Sequence, residues 1–246
     1  MASHFEDKDP LSHVISKRAE GVVSLSESHG TEIPGHISAA ADAGRETAVI
    51  FIVLWLILSH FSVAFALMMN VFFVVGIGLL FWKTGRSAWL GWSRLERLHR
   101  VIDEERWEIE HHRMQEREEL KVLYRAKGFE GKLLEDVMDV LMADGDRLLR
   151  VMLEEELGLA LEAYEHPLKQ ALGAAAGVMG VAVISVAALW IYPHLGLPIG
   201  AAAMIIAAAI ISAKYEKNRL IDAAVWNVAT GTISLGAVYF FLQLLK

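Results

Sequence analysis

The sequence predicts an all-α, polytopic membrane protein with about five transmembrane helices and a charged helical insert between the second and the third. Residues 47–82 and 170–213 contain no Asp, Glu, Lys or Arg. Each block exceeds the roughly 20 apolar residues that an α-helix needs to cross a bilayer. The intervening residues 83–167 hold most of the charge and contain no proline before Pro167, a composition typical of helices.

Residues 1–46 are expected to form a polar N-terminal arm, and residues 47–86 the first two transmembrane helices. The arm lacks an apolar core behind a basic start, so we do not expect a cleavable signal peptide. As one helix, residues 49–82 would extend about 51 Å, against a hydrocarbon core of about 30 Å. We therefore predict two helices, about 48–64 and 66–82, joined by a tight turn; one tilted or kinked helix is the alternative.

Residues 168–246 are expected to form three more transmembrane helices. The first, 171–192, ends before Pro193, and the others cover about 197–213 and 221–245. Five basic residues flank the predicted spans on one side: Lys83, Arg86, Lys214, Lys217 and Arg219. Because short cytoplasmic loops are enriched in Lys and Arg, the N-terminus and the insert are expected on the cytoplasmic side. The membrane is expected to be a bacterial cytoplasmic membrane.

The insert, residues 87–167, is expected to be a cytoplasmic helical domain. A helical composition extends over 88–127 and meets a C-terminal signal at Gly128. Apolar residues at helical spacing predict an amphipathic helix over 132–143, and a third helix is expected from Asp146 to Tyr164.

Composition excludes several classes of function. The chain has no cysteine, which excludes disulfides, thiolate zinc sites and iron–sulfur sites. Its net charge of −7 argues against a nucleic-acid partner. No nucleophile–base pair, glycine-rich phosphate loop or cofactor fingerprint can be placed on a suitable element, so we do not expect an enzyme.

Acidic residues of the insert share one helical face. At 100° per residue, five side chains fall within about 80° of one another; they are Glu105, Glu108, His112, Glu116 and Glu119. Like charges at these spacings repel, so a divalent metal ion with oxygen ligands is the expected partner. The alternative is a solvated acidic helix neutralised by arginines, namely Arg106, Arg113 and Arg117.

Helix length limits this metal hypothesis. In one unbroken helix Glu105 and Glu119 would lie about 21 Å apart, too far for one ion. A shared site therefore requires a bend near 111–115, a ligand from the third helix or a second subunit. Nothing in 109–116 demands a break. A di-iron bundle needs two Glu-x-x-His pairs, and the sequence offers one, Glu108 to His111.

The order of short motifs in the insert resembles that of the vacuolar iron transporter family. The motifs are Glu105-Arg106-Trp107-Glu108, Glu116-Arg117-Glu118-Glu119-Leu120, Tyr124-Arg125-Ala126-Lys127-Gly128 and Glu155-Glu156-Leu157-Gly158. This resemblance implies two spans, a three-helix metal-binding insert and three further spans. It also implies a homodimer that exchanges divalent metal for protons.

The resemblance implies metal ligands on three helices of the insert. Residue by residue these are Glu105 and Glu108, then Glu116 and Glu119, then Met152 and Glu156. A further glutamate position is filled by Leu153, with Glu154 or Glu155 as substitutes, and His112 is an additional candidate from its spacing. Carboxylates with one thioether suit Fe²⁺, or Mn²⁺, Co²⁺ or Zn²⁺, better than Ca²⁺ or Mg²⁺.

The membrane part offers few groups for an ion path. Because residues 47–82 lack carboxylates, the candidates are His60, Met68, Met69 and, near the C-terminus, Asp222. His60 could equally lie at the turn between the first two spans. The sequence thus predicts a transporter of Fe²⁺, or of Mn²⁺, that exports the ion in exchange for protons. The alternative is a non-transporting membrane metal sensor, store or interaction scaffold using the same insert.

Overall fold

The computed structural model describes residues 33–155 and 165–244, and within these ranges it contains eight α-helices and no strand. The helices are α1 Gly35–His60, α2 Phe65–His111, α3 Arg113–Ala126, α4 Gly131–Met142, α5 Gly145–Glu155, α6 Pro167–Ile191, α7 Gly196–Tyr215 and α8 Leu220–Gln243. The predicted all-α class is confirmed. Most of the predicted N-terminal arm and the end of the third insert helix, including Glu156, lie outside the described residues.

The described residues divide into two compact units. The membrane unit comprises residues 33–93 and 165–244, and the insert unit comprises residues 94–155. Helix α2 contributes its apolar first part to the membrane unit and its charged part, from Arg94 onward, to the insert unit.

Four of the described helices are long and apolar enough to cross a membrane, namely α2, α6, α7 and α8. Helix α1 adds a fifth helix to this unit and packs against α6, α7 and α8. Residues 61–64 separate α1 from α2, so this stretch forms two helices rather than one. Helix α1 follows Pro34 and begins at Gly35, well before the expected boundary at residue 47.

Helices α1 and α6 approach each other through glycines. A Cβ atom added at Gly173 would lie 2.0 Å from the carbonyl oxygen of His36, and one at Gly177 would lie 2.1 Å from that of Ala40. Small residues permit such backbone contact between membrane helices. Beyond this crossing, Phe51 of α1 packs into an apolar core to which α2, α6 and α7 also contribute.

Charged side chains connect the start of α1 with the start of α6. The backbone N–H of His36 donates to Glu165 Oε2 over 2.5 Å, and Lys169 Nζ lies 2.7 Å from Glu165 Oε1. Burial acts to raise the pKa of Glu165, but hydrogen bonds from Lys169 and His36 hold it below its usual value. Further along, the buried Lys83 of α2 pairs with Glu46 of α1.

The insert unit has a hydrophobic core of its own. Leu120 of α3, Met138 of α4, and Leu148 and Met152 of α5 are fully buried within it. Helix α3 ends two residues before Gly128, whose φ of +93° is the left-handed conformation that glycine adopts readily at helix ends. Helices α4 and α5 begin close to the positions that the sequence predicts.

An ion-pair network connects α3 to α4. Arg117 Nη2 lies 2.7 Å from Glu135 Oε2 and 3.2 Å from Asp139 Oδ1, and Lys121 Nζ lies 2.9 Å from Glu135 Oε1. Hydrogen bonds from Lys121 and Arg117 lower the pKa of Glu135 below its usual value of 4.5. The folded insert therefore favours the ionised form of this carboxyl group.

Replacing Glu135 by glutamine is expected to reduce thermal stability modestly at neutral pH and not at all in acid. Because its folded pKa is lowered, Glu135 contributes stability above about pH 4.5 that disappears as the pH falls through the folded value. Melting temperatures of the full chain in detergent between about pH 7 and pH 3 would measure this. The exposed neighbour Asp136 provides the control, Asp136→Asn, and an equal pH dependence in both variants would contradict the prediction.

Candidate metal centre

The helix expected over 88–127 is broken at His112. Helix α2 ends at His111 and α3 begins at Arg113, and His112 between them has φ −126° and ψ 31°. The Trp107 ring stacks on His111 with centroids 4.5 Å apart and meets His112 edge-on at 5.6 Å. The sequence contains no residue that requires a break here, whereas the resemblance implies Glu105 and Glu108 on one helix and Glu116 and Glu119 on the next, as the structure has them. The break lies within 111–115, where a shared site requires a bend.

Four of the predicted metal ligands are buried carboxylates. Glu105 and Glu108 of α2 are 3% and 7% exposed, and Glu116 and Glu119 of α3 are 1% and 2% exposed. By contrast Glu104, Glu110 and Glu118, on the other faces of the same helices, are exposed. A solvated acidic face should be accessible to water, so this burial contradicts the solvated alternative.

Two of the arginines expected to neutralise that face have partners in or next to α4. Arg117 pairs with Glu135 and Asp139, as described above, and Arg113 Nη2 donates to the backbone carbonyl of Met142. Arg106 is exposed. A buried carboxylate is costly unless hydrogen bonds or a positive charge compensate it. The partners of these arginines therefore lie on other side chains and on the backbone, or, for Arg106, the side chain faces solvent.

Helix α5 supplies the sulfur-bearing candidate. Met152 is fully buried in the same hydrophobic core as Ile109 and Leu120, the helical neighbours of Glu108 and Glu119. Leu153, which stands at a glutamate position of the family, is also buried there. Since the core fixes this part of α5, the Met152 side chain is held in packed surroundings rather than in solvent.

The described residues do not close a complete cage around an ion. Within residues 33–155 and 165–244, no three Asp, Glu or His side chains lie close enough together to hold one metal. Glu156 lies outside the described residues. The structure therefore places the predicted ligands of α2, α3 and α5 at buried positions without assembling them into one coordination sphere.

The two secondary ligand candidates have other contacts. Glu155 pairs with Lys127, whose ammonium also lies 5.2 Å from the centre of the Tyr124 ring. His112 is half-buried at the helix break, beside Trp107. These contacts give both residues a structural role in addition to any binding role.

The predicted ion-path residues do not form one cluster. His60 ends α1 beside the Phe61 ring, while Met68 and Met69 lie in the first turn of α2, with Met68 buried against the membrane core. Asp222 lies in the first turn of α8, 3.8 Å from Arg219. It lines a cavity that extends to Arg45, fifteen residues before His60 on α1 and thus about 22 Å from it along the helix axis.

Three charged residues of the membrane unit lie in the part of a helix that the sequence does not predict. Asp42, Arg45 and Glu46 fall within α1, although the sequence places them in the polar arm. Arg45 Nη2 lies 2.5 Å from Asp42 Oδ1, and Arg45 Nη1 donates to Asn227 Oδ1 of α8 over 3.3 Å. The available signal is the alanine-rich stretch that follows Pro34, with Asp42 and Arg45 three residues apart on one helical face.

Comparison with known proteins identifies the family. A family model described as the VIT family matches residues 90–243, which is well over half of the chain and includes the insert and the last three membrane helices. No curated protein matches the sequence. The chain therefore belongs to the vacuolar iron transporter family, and it is a membrane protein of a family of metal transporters.

Proposed function

We propose that this protein exports Fe²⁺, or Mn²⁺, from the cytoplasm in exchange for protons, and that its insert binds the ion first. The observation that carries the proposal is the burial of four carboxylates on one face of α2 and α3, at the positions where the family resemblance implies metal ligands. Glu105, Glu108, Glu116 and Glu119 would bind the metal together with Met152 and Glu156.

The chemistry of the ligands favours a transition metal. Carboxylate oxygens supply negative charge, and the softer thioether of Met152 favours Fe²⁺, Mn²⁺, Co²⁺ or Zn²⁺ over Ca²⁺ and Mg²⁺. Because carboxylates must be deprotonated to bind, protons compete with the metal at such a site. This competition is consistent with an exchange of metal for protons.

Within the membrane, we propose a path that uses His60, Met68, Met69 and Asp222. Met68 and Met69 offer thioethers near the turn between α1 and α2. Asp222, which lies beside Arg219 in a cavity that also contains Arg45, is the least suited of the four to a bare divalent cation. We also propose a homodimer, as the family resemblance implies.

Metal flux into proteoliposomes tests the proposal. We expect the wild-type protein to carry Mn²⁺ or Fe²⁺ across the membrane when a proton gradient drives protons in the opposite direction. Glu116→Gln is expected to reduce this flux at least tenfold, because a buried ligand would be lost. Glu104→Gln, which removes the same charge at an exposed position of α2, should transport normally.

One outcome would contradict transport, and another would contradict the role of the buried ligand. Metal binding without flux would support the sensor, store or scaffold instead. Flux that is equally affected by Glu104→Gln and Glu116→Gln would show that general charge, rather than a buried ligand, matters.

A further inference from the structure

A cavity of about 460 Å³, with both polar and apolar lining, lies in the membrane unit. Its walls come from α1, from the last turns of α7, from the link 216–219 and from the first two turns of α8. These are the ends of membrane helices, where lipid head groups meet protein. We propose that this cavity binds the head group of a phospholipid bearing a phosphate and a free ammonium group, such as phosphatidylethanolamine.

The charges of the cavity fit a zwitterion better than a cation or an anion. Two guanidinium groups, of Arg45 and Arg219, line it together with two carboxylates, of Glu216 and Asp222. Two arginines oppose a bare divalent cation, and two carboxylates oppose a simple anion. A phosphate beside the arginines and an ammonium beside the carboxylates would add to the existing pairs of Arg45 with Asp42 and of Arg219 with Asp222, since arginine binds phosphate oxygens through several hydrogen bonds.

A buried hydroxyl group supports a polar ligand. Ser212 of α7 lines the cavity, is 6% exposed, and its Oγ makes no hydrogen bond to any residue in the described part of the chain. Buried hydroxyl groups are normally hydrogen-bonded, so this one calls for a partner. The hydroxyl oxygen is covered in this structure, so Ser212 would have to turn towards the cavity to donate to a phosphate oxygen.

The surroundings favour a lipid over a soluble phosphate compound. Trp226 lines the cavity and is largely exposed, as expected of a tryptophan at a membrane interface. Ile221 and Val225, one helical turn apart on α8, are also exposed beside it. Acyl chains can lie along this apolar face while the head group occupies the cavity. Basic pockets between membrane helices are known settings for lipid head groups.

The ammonium preference distinguishes ethanolamine from choline lipids. A primary ammonium donates three hydrogen bonds, and Glu216 and Asp222 can accept them. A quaternary choline group has no N–H to donate. We therefore expect the cavity to prefer phosphatidylethanolamine over both phosphatidylcholine and phosphatidylglycerol.

Native mass spectrometry of the full chain, with defined lipids added in detergent, tests the proposal. The wild-type protein should retain phosphatidylethanolamine preferentially, and Arg219→Gln should weaken that retention about tenfold, the loss expected of one charge-assisted hydrogen bond. Asp222→Asn should remove the preference for ethanolamine over glycerol lipids. Lys214→Gln, which removes a positive charge from α7 outside the cavity lining, should have no effect.

All three variant positions are exposed, so loss of folding is not expected to obscure the result. Equal retention of the three lipids, or equal effects of Arg219→Gln and Lys214→Gln, would overturn the proposal. Parallel titrations with phosphoethanolamine and inorganic phosphate separate the sources of the phosphate. Binding of these soluble compounds without lipid selectivity would identify a soluble-anion site instead and would also overturn it.

Discussion

Replacing Gly177 by alanine is expected to destabilise the membrane unit severely. The new methyl group would lie 2.1 Å from the carbonyl oxygen of Ala40, an atom of the α1 backbone that cannot rotate away. Helices α1 and α6 would have to separate, which would disturb the apolar core around Phe51. Overpacking of a core costs about 1–3 kcal/mol, and collision with backbone places this change at or above about 3 kcal/mol.

The unfolding temperature in detergent, followed by tryptophan fluorescence, measures this effect. Gly231→Ala is a matched control, because a Cβ atom added at Gly231 of α8 meets no atom within 4 Å. Alanine also has a higher helix propensity than glycine, so the control should be neutral or slightly stabilised. If both variants unfold at the same temperature, the close approach of α1 and α6 is not a feature of the native protein.

The double substitution Glu105→Gln with Glu116→Gln is expected to reduce Mn²⁺ affinity at least about a hundredfold. Loss of an outer-shell partner alone typically costs 10–100-fold, and here two proposed direct ligands would change. Glutamine keeps the size of the side chain and removes its charge, so packing around Ile109 and Leu120 should persist.

Exposed glutamates provide the control for that experiment. Glu104→Gln with Glu110→Gln removes the same net charge from α2, at positions open to solvent. This second double variant should bind Mn²⁺ as the wild type does. Equal losses in the two variants, measured by the electron paramagnetic resonance of free Mn²⁺, would show that the buried face has no special role.

Most membrane helices could be predicted because residues close to their ends in the sequence mark those ends. The proline and glycine residues after residue 191 end α6 and begin α7, and the polar link 216–219 separates α7 from α8. The start of α1 could not be predicted in this way, because residues 35–46 contain charges. Besides the local pair of Arg45 with Asp42, those charges have distant partners, since Arg45 donates to Asn227 and Glu46 pairs with Lys83.

The candidate site shows a similar division. Helical periodicity places Glu105, Glu108, Glu116 and Glu119 on one face, but periodicity does not state which face packs against the rest of the insert. Leu120, next to Glu119, packs in a core to which α4 and α5 contribute, and this packing shows which face of the helix is buried. The break at His112 has no proline or glycine beside it in the sequence that would signal it.

X-ray absorption spectroscopy of the full chain loaded with Fe²⁺ tests the proposed metal site most directly. We predict a first shell dominated by carboxylate oxygen with one sulfur, and the chain has no cysteine to supply that sulfur. The sulfur signal should disappear in Met152→Leu, which keeps the volume of this buried side chain nearly unchanged. A shell rich in histidine nitrogen, or a sulfur signal that persists in Met152→Leu, would contradict binding at the buried acidic face beside Met152.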